Sequence, residues 1–92
     1  MSVKLLLPTA FTRHTDGARE MESNASHLPQ LLEDLETRFP ALQAHLRDAD
    51  GSLRRFINVY VNEEDIRSLG NETYTFKDGD EVMLIPSIAG GV

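Results

Sequence analysis

Apolar and polar residues alternate with a period of two in several short stretches of this chain, and recur at helical spacing in one. Val3, Leu5 and Leu7 alternate with Lys4 and Leu6, the pattern of a half-buried strand. Pro8 to Gly17 is polar and contains Asp16-Gly17, so a loop with a turn is expected there. Ala18 to Ser23 is a weaker extended segment, expected to return antiparallel to the first strand. Leu28, Leu31, Leu32, Leu35 and Phe39 then fall three and four apart and form one apolar helical stripe. Ser26 is the candidate N-cap, Pro29 fits the first turn, and Pro40 pushes its predecessor out of the α region, which ends the helix. Leu42 and Leu46 predict a further turn or short helix before Arg47.

Asp48 to Ser52 reads as a loop, after which Ile57, Val59 and Val61 alternate with Asn58 and Tyr60. A polar connector follows, anchored by Ile66 and Leu69, and Thr73 to Phe76 is a short strand candidate. Asp78-Gly79-Asp80 predicts a turn into a last strand, in which Val82 and Leu84 alternate with Met83 and Ile85. Strand, strand, helix and three more strands give an α+β fold, a mixed sheet packed on one main helix. Val3, Leu5, Leu7, Ile57, Val59, Val61, Val82 and Leu84 would cover the leucine stripe, and no element remains for the sheet's other face. On that uncovered face alternation places Leu6, Phe56, Tyr60, Met83 and Ile85. Such an apolar patch reads as a partner-binding surface, with a dimer interface or cover by residues 40–55 as the alternatives.

Composition narrows the picture. Ninety-two residues suffice for one small core. With 40% hydrophobic and 26% charged residues, the chain resembles an ordinary globular domain, not a disordered one. No apolar run approaches the ~20 residues that span a bilayer. Pro8 interrupts the apolar N-terminus, which reads as a strand instead of a signal peptide, so a cytoplasmic location without membrane attachment is expected. Cysteine is absent, so neither a disulfide nor a thiolate nucleophile is available. A net charge of −6 argues against nucleic acid and suits a basic partner.

The last four residues, Ala89-Gly90-Gly91-Val92, add nothing to a core, because glycine resists ordering. The expected division is a folded body over residues 1–86 and a flexible tail over 87–92. Ser87 to Gly91 is five residues. At ~3.3–3.6 Å per extended residue that tail would reach roughly 17 Å, enough to carry a backbone carboxylate into a narrow channel.

The helix pattern, Asn58-Val59-Tyr60-Val61-Asn62, Asp78-Gly79-Asp80-Glu81-Val82 and the ending Ile85-Pro86-Ser87-Ile88-Ala89-Gly90-Gly91 together resemble the ThiS/MoaD family. These are ubiquitin-like sulfur carriers with the β-grasp fold, and the resemblance covers nearly the whole chain. Leu53 to Arg67 and the proline-led first loop are most similar to CysO-type carriers of cysteine biosynthesis. MoaD-like small subunits of molybdopterin synthase share much of the same pattern.

The resemblance implies a protein co-substrate, not an enzyme, with no cofactor of its own. An E1-like or MoeB-like adenylating enzyme would use ATP to join the Gly91 carboxylate to AMP. A sulfur nucleophile would then displace AMP and leave a thiocarboxylate, whose sulfur passes to an acceptor enzyme such as a cysteine-synthase-like protein. Ala89, Gly90 and Gly91 would thread the channel, where a Cβ on either glycine would meet its wall. Val92 departs from the family ending and makes the chain read as a precursor trimmed by a JAMM-type zinc metalloprotease, or as a carrier that tolerates an added residue. A ubiquitin-like protein modifier and a plain interaction module are the competing classes.

Other chemistry-bearing residues form no motif. His14, His27 and His45 have no metal-ligand spacing, and Glu63-Glu64-Asp65 and Asp78-Gly79-Asp80 read as turns with solvated charge. Met21 and Met83 read as packing or contact residues.

Overall fold

The alternating stretches become strands whose buried sides face one helix. The computed structural model describes residues 2–86. β1 spans Val3–Leu6 and β2 Glu20–Ser23; β3 is Ile57–Val61, β4 Glu64–Asp65 and β5 Glu81–Pro86. They form a five-stranded sheet in the order β2-β1-β5-β3-β4. β1 and β5 run parallel at its centre, and the remaining pairs are antiparallel. Helix α1, Leu28–Arg38, supplies the other layer, and a one-turn helix α2, Gln43–Leu46, follows it. This is the α+β, β-grasp arrangement expected from the pattern and the resemblance.

All eight strand residues assigned to the helix-facing side are buried, as are Leu28, Leu31, Leu32 and Leu35 of α1. Fully burying a leucine is worth about 1.5–3 kcal/mol, so the leucine stripe contributes much of what holds α1 on the sheet. Phe11, Met21, Leu42, Leu46, Ile66 and Phe76 close the margins of the same core. The helix stops at Arg38 because Phe39, before Pro40, takes φ −131° and ψ 77°.

Several local expectations are corrected. The segment after Pro8 is not a plain loop: Thr9–His14 is a 3-10 helix that buries Phe11. The N-cap of α1 is His27, not Ser26, and it makes no side-chain capping bond. Ser26 instead donates from its N–H and its hydroxyl to Gln30 Oε1, at 2.7 and 2.9 Å. Thr73 to Phe76 forms no strand. Phe76 N–H donates to the Ser26 carbonyl at 2.7 Å, and the Tyr74 hydroxyl is drawn to Asp80. The fourth strand is the polar pair Glu64–Asp65, folded back on β3 by Asn62 and Glu63, whose φ values are 50° and 73°. Two successive positive φ angles are the geometry of the tight turn that suits a twisted hairpin.

The turn before β5 carries buried charge, not the solvated charge expected for it. Asp80 is 6% exposed. Its carboxylate accepts hydrogen bonds from Asn62 Nδ2, the Tyr74 hydroxyl and the Lys77 N–H, each at 2.9 Å. Its carbonyl accepts from Lys4 N–H of β1, also at 2.9 Å. Burial alone would raise the carboxyl pKa. The hydrogen bonds from Lys77, Asn62 and Tyr74, with the Lys77 charge, outweigh it and hold the group below the usual carboxylate range.

Replacing Asp80 by Asn should cost about 2–4 kcal/mol at neutral pH, since donors aimed at a carboxylate would meet an amide. Because the folded-state pKa is depressed, the stabilisation is complete above the unfolded value of about 3.9 and fades as pH falls through the folded one. Urea unfolding of both proteins should therefore show a gap that narrows on acidification. A gap constant from about pH 7 to about pH 2, a range that brackets the unfolded value, would exclude this account.

Candidate functional site

The pairing of β1, β5 and β3 assembles a row on the face away from α1. Leu6 is paired with Met83, and Met83 with Tyr60, so these three side chains lie side by side across three strands. Ile85 follows two residues further along β5, opposite Asn58, and is 39% exposed. Leu6, Tyr60 and Met83 are half-buried. Phe56, expected on the same face, precedes β3 in a turn and is half-buried against the core cluster. The Arg54 guanidinium lies 5.9 Å from its ring centroid, within cation–π range.

Because β1 and β5 are parallel, their C-terminal ends emerge together. Between them lies a hollow of about 250 Å³, lined by Leu6, Pro8, Thr9, Met83, Ile85 and Pro86 among others. The hollow adjoins Pro86, the last residue of β5, paired with Ile57 of β3. Alternation found Leu6, Met83 and Ile85 but gave no reason to join Pro8 to Pro86. Only the parallel pairing does that.

The opposite end of the same face is charged. Lys4 is paired with Glu22 on one side and Glu81 on the other, and its ammonium is 3.6 Å from Glu20. At the β4 edge of the apolar row, not at this charged end, Arg67 grips Asp65 beside Tyr60 at 2.7 Å, and these hydrogen bonds hold the Asp65 carboxyl below the usual range. The uncovered face is thus apolar towards Pro86 and charged away from it.

Ala89, Gly90, Gly91 and Val92, the tail residues expected to carry the chemistry, lie outside the described residues. Among the described residues no cluster of three or more His, Asp or Glu could hold a metal ion. Likewise, no helix among them is long and apolar enough to cross a membrane.

Two histidines that looked scattered meet in space. His14, at the end of the 3-10 helix, stacks on His45 of α2 with ring centroids 4.0 Å apart and planes 26° apart. Partial burial, then the charges of His45 and Arg13, push the His14 imidazole below its ordinary pKa. The pair ties the first loop to the segment after α1.

The ThiS family model matches residues 8–91. The sulfur carrier protein CysO of Mycobacterium tuberculosis is 36% identical, over 99% of this chain and all of the relative. The CysO of the Amycolatopsis orientalis BexX/CysO complex is 37% identical, with a TM-score of 0.83 over 97% of this chain and 99% of that one. Small archaeal modifier protein 1 of Methanosarcina acetivorans is 26% identical and also superposes with a TM-score of 0.83, over 98% and 96% of the two chains.

In an NMR titration His14 should have its midpoint below the reference of about 6.5, and His45→Gln should move that midpoint up by removing a positive neighbour. An unchanged midpoint in the variant would show that the stacked rings do not communicate electrostatically.

Proposed function

This chain belongs to the ThiS family, and from that premise we propose that it is a sulfur carrier of the CysO type, a protein co-substrate and not an enzyme. The observation that carries the reading is the placement of Gly90-Gly91 a few residues beyond β5, in a chain that contains no cysteine. Sulfur carried by such a protein must sit on a group other than a thiol, and the main-chain carboxylate of Gly91 is the group the diglycine sequence offers. Loss of Val92, the next residue in this sequence, is the step that would expose it, for which a JAMM-type metalloprotease is the proposed agent.

The chemistry proceeds in two balanced displacements. The Gly91 carboxylate attacks the α-phosphate of ATP held by an adenylating enzyme, releasing pyrophosphate and forming an acyl-adenylate. Sulfide then attacks the acyl carbon and expels AMP, leaving the thiocarboxylate. Adenylation supplies the leaving group that a bare carboxylate lacks. The sulfur next passes to an acceptor in the synthesis of cysteine or a related metabolite, on a cysteine-synthase-like or other sulfur-accepting enzyme. The solved BexX/CysO complex supports a second protein as a docking partner of the carrier body.

Leu6, Tyr60, Met83 and Ile85 would dock the body on these enzymes, and Phe56 would contribute from the margin. Docking by the body matters because ordering an extended tail costs about 1–2 kcal/mol per residue, which the contacts of the body must offset. A second reading, conjugation of Gly91 to lysines of target proteins, is favoured by the likeness to an archaeal modifier.

Protein lacking Val92, incubated with a competent adenylating enzyme, ATP and sulfide, should exchange one terminal oxygen for sulfur by mass spectrometry. Absence of exchange would count against the carrier reading, and covalent high-mass adducts in cells would favour the modifier reading. Met83→Glu should leave unfolding within about 1 kcal/mol of the parent, since the side chain lies on the uncovered face. The same change should raise the KM of the adenylating enzyme for this protein at least about tenfold, the cost of placing an unpaired charge in an apolar contact. An unaltered KM would remove this face from the docking surface.

A further inference from the structure

β2 is the outer strand of the sheet and pairs with β1 alone. Leu7 N–H donates to the Arg19 carbonyl at 2.8 Å, which makes these two a hydrogen-bonded pair. The register of β1 on β2 then makes Leu5 with Met21, and Val3 with Ser23, the other such pairs. Glu20 and Glu22 therefore turn their N–H and C=O groups outward, away from β1. The same alternation sends Lys4 N–H to the opposite side of β1, where it meets the Asp80 carbonyl. Among the described residues the outward groups of Glu20 and Glu22 have no partner, and both residues are exposed.

At the opposite edge of the sheet β4 is only two residues long, and β3 beyond its reach is closed. Ile57 and Val59 there are only 5% and 4% exposed. The β2 edge, in contrast, adjoins a groove of about 430 Å³ that runs from Ser23 and Asn24 along α1 past Gln30, Glu33 and Asp34.

Side chains of an added strand would alternate between two surroundings. One set would lie on the uncovered face beside Glu20 and Glu22, the other over the groove beside Glu33 and Asp34. Lys4 is 3.6 Å from Glu20 and Arg38 is 3.6 Å from Asp34, while Glu22 has no ion pair among the described residues. The acidic character on both sides, in a chain of net charge −6, is complementary to a basic occupant. It disfavours a second copy of this chain, whose edge would bring Glu20 and Glu22 against their own kind.

We propose that the β2 edge, Glu20–Ser23, takes up an extended lysine- or arginine-bearing segment of a partner protein as an added strand, using the main chain of Glu20 and Glu22 for pairing. This surface is distinct from the apolar row at Leu6, Tyr60 and Met83, and the inference does not rest on the sulfur-carrier reading.

The test uses the full chain, isotope-labelled, and a blocked hexapeptide alternating lysine and threonine. On adding the peptide at low salt, the amides of Glu20 and Glu22 should become slow to exchange with solvent. Glu22→Pro removes an outward N–H without touching the β1 ladder, whereas Glu22→Gln removes the same charge and keeps the donor. The proline variant should bind about tenfold more weakly than the glutamine variant, the effect of a lost main-chain bond and the strand it would register. The Met21 and Ser23 amides, bonded to β1, report that the proline variant still folds. Equal affinities for the two variants would overturn the proposal by reducing the binding to diffuse charge. So would protection confined to Leu6 and Met83, protection at Glu20 and Glu22 without peptide as the chain associates with itself, or no binding at all.

Discussion

The centre of this fold is a parallel pair made from its first and last strands, and Asp80 is the group on which that pair depends. A parallel pair has no tight turn to set its register, so something outside the ladder must do so. Asp80 does it from both its main chain and its side chain. The carbonyl takes Lys4 N–H of β1, and the carboxylate gathers Asn62 from the end of β3, Tyr74, and the Lys77 N–H of its own turn. Asn62 returns the connection by accepting Glu81 N–H at 2.9 Å. One buried residue thereby joins β1, β3 and β5 where β5 begins, β1 through its carbonyl and the end of β3 through its carboxylate. Its burial is tolerated because its hydrogen bonds replace the water it gave up.

The two ends of the uncovered face follow from this register. Since β1 and β5 point the same way, the apolar residues near their C-terminal ends, Leu6, Met83 and Ile85, cluster with Pro8 and Pro86. Lys4, Glu22 and Glu81 collect at the other end for the same reason. A partner meeting this face would find an apolar contact beside Pro86, the end of β5, and charge farther off. That arrangement favours anchoring close to the terminus proposed to carry the sulfur, with charge steering the approach.

Much of the body was legible because its signals are local. Alternation in Val3–Leu7, Ile57–Val61 and Val82–Ile85, and the three-and-four spacing of the leucines in α1, each record one burying face. What escaped was decided by partners that no periodicity in the segment records. Tyr74 and Phe76 alternate like a strand, yet Tyr74 is claimed by the carboxylate of Asp80 across the turn and Phe76 by Ser26, far away in sequence. Glu64–Asp65 has no apolar signal at all, and becomes a strand only because the preceding turn folds it against Tyr60 and Val61. The stacking of His14 on His45 likewise joins two segments that no spacing rule connects. Of the candidate site, the apolar positions could be found from alternation. Their junction with Pro8 and Pro86 required the strand order, which no short window contains.

The central pairing also bears on how the polypeptide is made. Ser2 N–H bonds to the Asp78 carboxylate across 76 positions, and β1 must wait for β5 before its second edge is closed. During synthesis from the N-terminus, the first strand leaves the ribosome long before its neighbour exists, and contacts this distant slow closure. The body cannot lock until β5 has been synthesised. A nascent chain that stalls short of β5 stays open at its middle, so prematurely terminated products should be cleared by proteolysis before they compete with the finished protein.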